Sequence, residues 1–462
     1  MVVIKKLNLK EIQSGMSYNK AMSLKNYSFL LLFIFLGGAS YAQEEQQEAP
    51  QPYKKKVLEK TEIEFLSSYY IQEGENAAVS GGIGDEHLTD ITPTFIVSVP
   101  LNEDDVLTVD AGISAYTSAS SSNINPFDGN SPANPFQASS GASSADFWAG
   151  LNASYSHSSD DRNKIWTGKL SAATEYDYFS IGFGGSYTRL FNKKNTEISI
   201  NTTIFLDTWK LIYPIELRNF NSGEDEDDFD INRYTITGNP IYNPQFTEFN
   251  DKKRNSYALG ASFSQILSKK LQGLISVDVV RQEGLLSMPF QRVYFSDVAD
   301  SFIEEFHLAD DVERLPDTRN KLALGANLNY YINEFLVLRA HYRYYTDDWG
   351  IDSHTAKIEL PVKIGHGFTI YPSYRYYTQT KAYYFAPYNE HLSTEKYYTS
   401  DYDLSDFNAN QYGIGVNYTD IFTKFHIWKF GMKSIDLEYN RYDRNTSFNA
   451  NIFAVSFKFI QD

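Results

Sequence analysis

Arg339, His341 and Arg343 recur at every second position, and Lys357, Lys363 and Arg375 follow in the next two alternating runs. Residues spaced by two share one face of an extended segment. A face so equipped attracts carboxylates and phosphates, and rings of Arg and Lys favour anions in pores. Glu359 is the lone acid among them. Acids of matching parity stand elsewhere: Glu62 and Glu64 near the start, Asp436 and Glu438 near the end, with Asp110 and Asp278 between. If both sets line one interior, a basic wall across from an acidic wall sets up a transverse field that orients polar solutes. The competing reading is that these charges pair with one another and fill a closed lumen.

Two acidic stretches could hold a hard cation. Glu224-Asp-Glu-Asp-Asp228 with Asp230 offers carboxylate oxygens of the kind that bind Ca2+ or Mg2+. It lacks the spaced ligands and fixed glycine of a known calcium loop, so a solvated acidic loop is the simpler reading. Asp85, Glu86, His87 and Asp90 form a second candidate, but the neighbouring Gly81, Gly82 and Gly84 are explained by a backbone turn. No motif demands a cofactor. For catalysis, His157-Ser-Ser-Asp160-Asp161 resembles fragments of hydrolytic sites, yet nothing in the pattern orients the group. His341, between two arginines, has no serine in register. An outer-membrane hydrolase is therefore the weakest reading, and a non-enzyme is expected.

The elements that carry these residues are strands. Thr61–Ile71 and Ile91–Val99 alternate apolar and polar residues around a glycine-rich acidic loop, which makes a hairpin. The rhythm repeats through Asp105–Thr117, Ala145–Ser156, Lys164–Thr174, Tyr178–Thr188, Thr196–Asp207, Asn255–Leu267 and Leu271–Gln282. It continues through Arg319–Ile332, Phe335–Thr346, Ser353–Lys363, Phe368–Thr380, Asn410–Thr419, Ser434–Tyr442 and Phe448–Ile460. That is about sixteen strands (range about 14–18), each near the length a tilted membrane strand needs. With the first strand starting in the periplasm, turns such as Pro100–Asp104, Asp160–Asn163 and Ser268–Lys270 fall on the periplasmic side. The long insertions Ser118–Ser144, Thr208–Arg254, Glu283–Thr318 and Lys381–Ala409 all fall outside. Short turns within and long loops without is the pattern of an outer-membrane barrel. Asp420–Lys433 breaks it, as a long aromatic connection on the periplasmic side that reads as an extended rim. Tyrosines near strand ends, among them Tyr344, Tyr345, Tyr376 and Tyr377, match interfacial girdles. A soluble two-sheet sandwich would have to bury every apolar row of these strands against another.

The 462 residues include 35 Tyr, 32 Phe and no cysteine, with a formal charge of −17. Absence of cysteine excludes disulfides, thiolate metal sites and a lipoprotein anchor. Net acidity argues against nucleic acid. Residues 1–42 read as a Sec signal peptide, with Met22 an alternative start, and a cut after Ala42. Residues 43–60 read as a polar, disordered periplasmic segment, and 61–462 as one barrel domain. The expected location is the outer membrane of a Gram-negative bacterium. The last run sets Phe453, Val455, Phe457 and Phe459 on one face, and it is similar to the C-terminal signal read by the outer-membrane assembly machinery, although the chain ends Ile-Gln-Asp.

Tyr69–Gly74 and Val79–Asp90, with Gly81-Gly82-Ile83-Gly84-Asp85-Glu86-His87 at the centre, resemble the N-terminal signature of an uncharacterised family of exported Gram-negative proteins. That family is catalogued as a domain of unknown function and has threonine where this chain has Asp85. The resemblance implies an outer-membrane barrel and adds no activity. The expectation is an all-β, transmembrane, antiparallel up-and-down barrel with short periplasmic turns and long extracellular loops. It would act as a porin-like channel or transporter for small polar solutes with some anion bias. The alternative is a structural or interaction barrel whose acidic loops bind a partner. Outer-membrane lipid and the assembly machinery are the expected contacts.

Overall fold

The structure, a computed structural model, describes residues 55–117, 145–221 and 230–462. The expected signal peptide, most of the polar segment after it, the insertion 118–144 and the acidic run Glu224–Asp228 lie outside the described residues. The described start of the chain, Lys55–Lys60, has no regular structure, and the Val57 N–H donates to the Glu103 carbonyl.

Sixteen antiparallel strands form one closed wall. They are β1 Glu62–Gly74, β2 Leu88–Pro100, β3 Asp105–Thr117, β4 Ala145–Ser158, β5 Lys164–Thr174, β6 Tyr178–Phe191, β7 Thr196–Trp209 and β8 Lys253–Ser268. Then follow β9 Leu271–Gly284, β10 Thr318–Asn333, β11 Leu336–Asp347, β12 Asp352–Glu359, β13 Phe368–Gln379, β14 Phe407–Thr419, β15 Phe430–Arg444 and β16 Phe448–Gln461. Each pairs with its neighbour in sequence. The barrel closes where β1 pairs with β16, from Glu62 opposite Ile460 to Gly74 opposite Phe448. Closure removes the unpaired edges that an open sheet would expose to lipid.

The strands lie where the alternation places them. β12 is the exception, because the run read as continuous through Lys363 is interrupted after Glu359 and resumes at Val362–Ile364. Pro361 sits in the gap; it has no N–H to give to the ladder. The neighbours adjust around it, with the Leu360 N–H donating to the Pro372 carbonyl and the Val337 N–H to the Pro361 carbonyl. At the other irregular place, Asp420–Lys433, a two-residue strand His426–Ile427 folds back on the start of β15 and extends the rim. Loop lengths sort by end, with one qualification: the tight turns 175–177, 348–351 and 445–447 share the end that carries the long loops.

One face of every strand points outward. Phe147, Leu170 and Ile275 are more than 60% exposed there, and Ile113, Leu151, Ile358, Ile414 and Leu437 about half. Apolar surface of this extent is stable against hydrocarbon and not against water. The barrel wall is therefore transmembrane.

The largest fully buried side chains lie elsewhere. They belong to the loops at the long-loop end, where Leu217, Leu308, Ala309 and Val312 are at most 1% exposed. Ile231, Ile303 and Phe306 pack with Leu308, and Leu217 packs with Tyr294 and Val312. Short strands tie the loops together: Ser301–Ile303 between Ile236–Gly238 and Phe306–His307, and Arg292–Val293 beside Asp311–Val312. The molecule thus keeps its apolar core in its loops and leaves the wall to lipid.

Candidate functional site

The inward face of β11 to β13 carries the basic row. In register, Arg339 is opposite Glu359, His341 opposite Lys357, and Lys357 opposite Arg375. Glu359 binds two of the cations, Arg339 at 2.8 Å and Lys357 at 3.2 Å. His341 Nδ1 is 2.7 Å from the Asn327 side-chain oxygen. Arg375 donates to Gln411 at 3.3 Å. Arg343 is exposed and has no acidic partner among the described residues. Lys363 lies beyond the Pro361 break, towards the short-turn end. One hollow of about 360 Å3 is lined by Gln272, Asn327, Asn329, Arg339, His341 and Lys357. A second, of about 330 Å3, opens on the far wall among Asp110, Asn152, Lys169 and Ser171.

The acids lie to one side of the basic row. Asp436 and Glu438 are on β15, two strands from β13, and Glu62 and Glu64 are on β1, four strands from it. Asp436 accepts a hydrogen bond from Tyr371 on β13, so the β15 acids adjoin the basic strip and do not face it across the lumen. The field runs along the wall. Glu62 is held by Lys433 and Lys458, each at 2.8 Å, which makes it a seam clamp. Glu64 accepts from Ser456 and Glu438 from Asn440. Lys458 was legible by parity with Glu64; Lys433 was hidden because a bulge at Met432/Ser434 shifts the register.

The loops cover one end of this interior. Inward-facing Ala409 and Ala450, near the long-loop ends of β14 and β16, are 1% exposed, and Ala323 and Ser353 are 4%. By contrast, the Arg339 side chain is 57% exposed. The interior is filled at the long-loop end and open to water further along.

Arg292 fixes the filling. Its guanidinium meets Glu216 through two bonds, 2.7 and 3.2 Å, with both side chains buried, and a third bond goes to the Val79 carbonyl at 3.2 Å. Three loops, 75–87, 210–252 and 285–317, thereby share one cation. Gly81 and Gly82 explain why the first loop fits. Both have positive φ, and a Cβ on Gly82 would stand 2.6 Å from the Ser400 carbonyl, while one on Gly81 would strike the Tyr294 ring.

The acidic candidates of this first loop do not converge. Asp85 accepts from the His87 N–H, Glu86 folds back towards Asn76, and Asp90 accepts from Thr92 and Ser114. Among the described residues, no group of three His, Cys, Asp or Glu could hold a metal. Burial pushes the Glu86 carboxyl up to about 7. Other loop carboxyls are also buried without a cation. Glu313 accepts from the Thr399 hydroxyl and the Met288 N–H, and burial raises it to about 8; Asp310 accepts from the Phe295 N–H and is raised by burial to about 6. His157 turns outward and pairs with Asp105 at 2.6 Å, and the Tyr155 hydroxyl bonds the same carboxylate.

The fold is similar to solved outer-membrane barrels. A bacterial polysaccharide outer membrane secretin aligns over 87% of this chain and 98% of its own, at 9% identity and a TM-score of 0.41. A BenF-like porin from Pseudomonas fluorescens Pf-5 aligns over 87% and 98%, at 8% identity and 0.38. A FadL homologue from Pseudomonas aeruginosa aligns over 87% and 90%, at 10% identity and 0.36. The barrel assignment itself rests on the strand pairing above. Among curated proteins, nothing matches the sequence. A family described as Protein of unknown function (DUF3570) matches residues 33–447, from before the barrel to its last turn, and the chain belongs to that family.

Proposed function

We propose that the protein is a porin-like channel of the Gram-negative outer membrane, passing small polar solutes with a bias towards anions. The observation that carries this reading is Arg343, a water-exposed cation with no acidic partner among the described residues, one two-residue step along β11 from the level of His341, Lys357 and Arg375 on the inward face. Structural charges in a sealed lumen pair off, as Glu62 does with Lys433 and Lys458. A cation left facing water attracts anions. In this reading the long loops are extracellular, they gate the pore, and the C-terminal strand is the segment read by the assembly machinery. Purified protein in planar bilayers should conduct, with a reversal potential in a KCl gradient on the anion side. Silence after insertion, verified by heat-modifiable migration, overturns it.

A second reading has its own support. The loops have a dry core, with Leu217, Ala309 and Val312 fully buried. A rigid outer face of this kind suits a barrel that docks a partner and does not conduct. Recovery of a stoichiometric complex that is lost on deleting residues 210–252, together with silent bilayers, would favour it.

A further inference from the structure

The outward face of β5 and β6 presents an ordered column of residue pairs. From the short-turn end inward, the register sets Lys164 opposite Arg189, Trp166 opposite Tyr187, Gly168 opposite Gly185, and Leu170 opposite Phe183. Each pair is one step of two residues, about 7 Å, further into the membrane. The first pair is unusual, since like charges directly opposite each other destabilise a sheet. Neither Lys164 nor Arg189 forms an ion pair among the described residues. Two acids at this end of the barrel also have other partners. Asp161, whose field reaches Lys164, accepts from Ser159 and Asn163, and Asp105 accepts from His157 and Asn102. Glu197 is opposite Leu190, which puts it on the inward parity. The adjoining turn adds Lys193 and Lys194, both exposed.

The two cations are held ready. Arg189 stacks over Phe191, 4.7 Å from its centroid. Beside them, Trp166 and Tyr187 lie 5.7 Å apart, with His157 stacked on the far side of Trp166 at 5.6 Å. Aromatic pairs of this kind mark the headgroup level of a bilayer. Next comes a bare hollow. A Cβ on Gly168 would meet nothing within 4 Å, and one on Gly185 only the Thr167 carbonyl. Leu170, at 61% exposure, and Phe183, at 45%, bound it on the membrane side.

We infer that this column is a binding site for an anionic phospholipid of the leaflet at the short-turn end. Lys164 and Arg189 take the phosphodiester between them, which converts their repulsion into two charge-assisted contacts. The Trp166–Tyr187 pair brackets the glycerol level, and an acyl chain lies in the trough over Gly168 and Gly185. A free phosphate would satisfy the cations alone; the aromatic pair, the trough and the apolar wall in line with them favour a lipid.

Native mass spectrometry of the intact barrel, released from nanodiscs of mixed phosphatidylglycerol and phosphatidylcholine, tests this. The wild type should retain phosphatidylglycerol roughly tenfold or more over phosphatidylcholine. Lys164→Gln with Arg189→Gln should abolish the preference. Gly168→Leu, which fills the trough and leaves both charges, should lower retention at least severalfold; heat-modifiable migration reports that each variant is folded. Equal retention of the two lipids by the wild type, or no change in either variant, overturns the site. Displacement of the bound lipid by millimolar inorganic phosphate overturns its assignment to lipid.

Discussion

Arg292 and Glu216 face each other as a two-pronged ion pair, 76 positions apart in the chain and both shut away from water. Removing one partner of such a pair strands the other as a buried charge, which costs about 3–5 kcal/mol, whereas replacing both with apolar residues is often tolerated. Arg292→Met should therefore loosen the loop assembly and leave the wall intact. Limited proteolysis should cut within 210–252 and 285–317 in this variant, and heat-modifiable migration should be unchanged. Combining Arg292→Met with Glu216→Leu should restore most of the protection.

Loop closure should weaken as pH rises. In the folded loops Glu313 keeps its proton up to about 8 and Glu86 up to about 7, against the ordinary 4.5 of a free glutamate. The folded state therefore binds more protons than the opened state between roughly pH 4.5 and 8, and stability falls with rising pH across that window. Below it both states are protonated and the dependence vanishes. Asp401, beside Glu313 and likewise pushed up by burial, adds to the effect; it accepts from Gln291 and feels both Asp403 and Arg444. Amide hydrogen exchange in 285–317, corrected for intrinsic rates, should show greater opening at pH 8 than at pH 5. Glu313→Gln should flatten the upper part of the profile.

Gly82 is a steric key to the same assembly. Its φ is 88°, and a side chain there would collide with the Ser400 carbonyl. Gly82→Val should cost at least about 1–3 kcal/mol of loop stability. The expected readout is faster hydrogen exchange in 75–87 and 380–406, with β-sheet circular dichroism retained.

Charge reversal at Arg343 addresses selectivity. Arg343→Glu should move the reversal potential in a KCl gradient towards cations, and Arg343→Gln should move it partway. An unchanged potential in a conducting variant would remove this residue from the permeation path.

The sequence made the wall legible and left the closure hidden, for one physical reason. A strand writes its facing every second residue, so Leu107, Phe183 and Leu328 could be assigned outward from neighbours alone. Arg339, His341 and Arg343 announced a shared face by the same rule. Leu217, Ala309 and Val312 lie in loops with no period, and their burial depends on chains meeting from far apart. Arg292 and Glu216 each look like ordinary surface charges in sequence. Parity gives the acids a face, but the distance around the wall between two strands is a property of strand order, which sets Asp436 beside Tyr371. The glycines of the first loop were readable as a turn; their second purpose, admitting Ser400 and Tyr294, needed partners that the sequence does not name.

The exposure gradient inside the barrel makes the two ends kinetically unequal. In the channel reading, a water-soluble reagent arriving from the short-turn end should reach Arg343 without any rearrangement, while one arriving from the other end should wait for the loops to part. With a cysteine placed at 343 in this cysteine-free chain, thiol labelling should follow simple second-order kinetics from one compartment. From the other it should saturate at a rate set by the protein and independent of reagent concentration. In the channel reading, the loops then set the pace of entry from their own side.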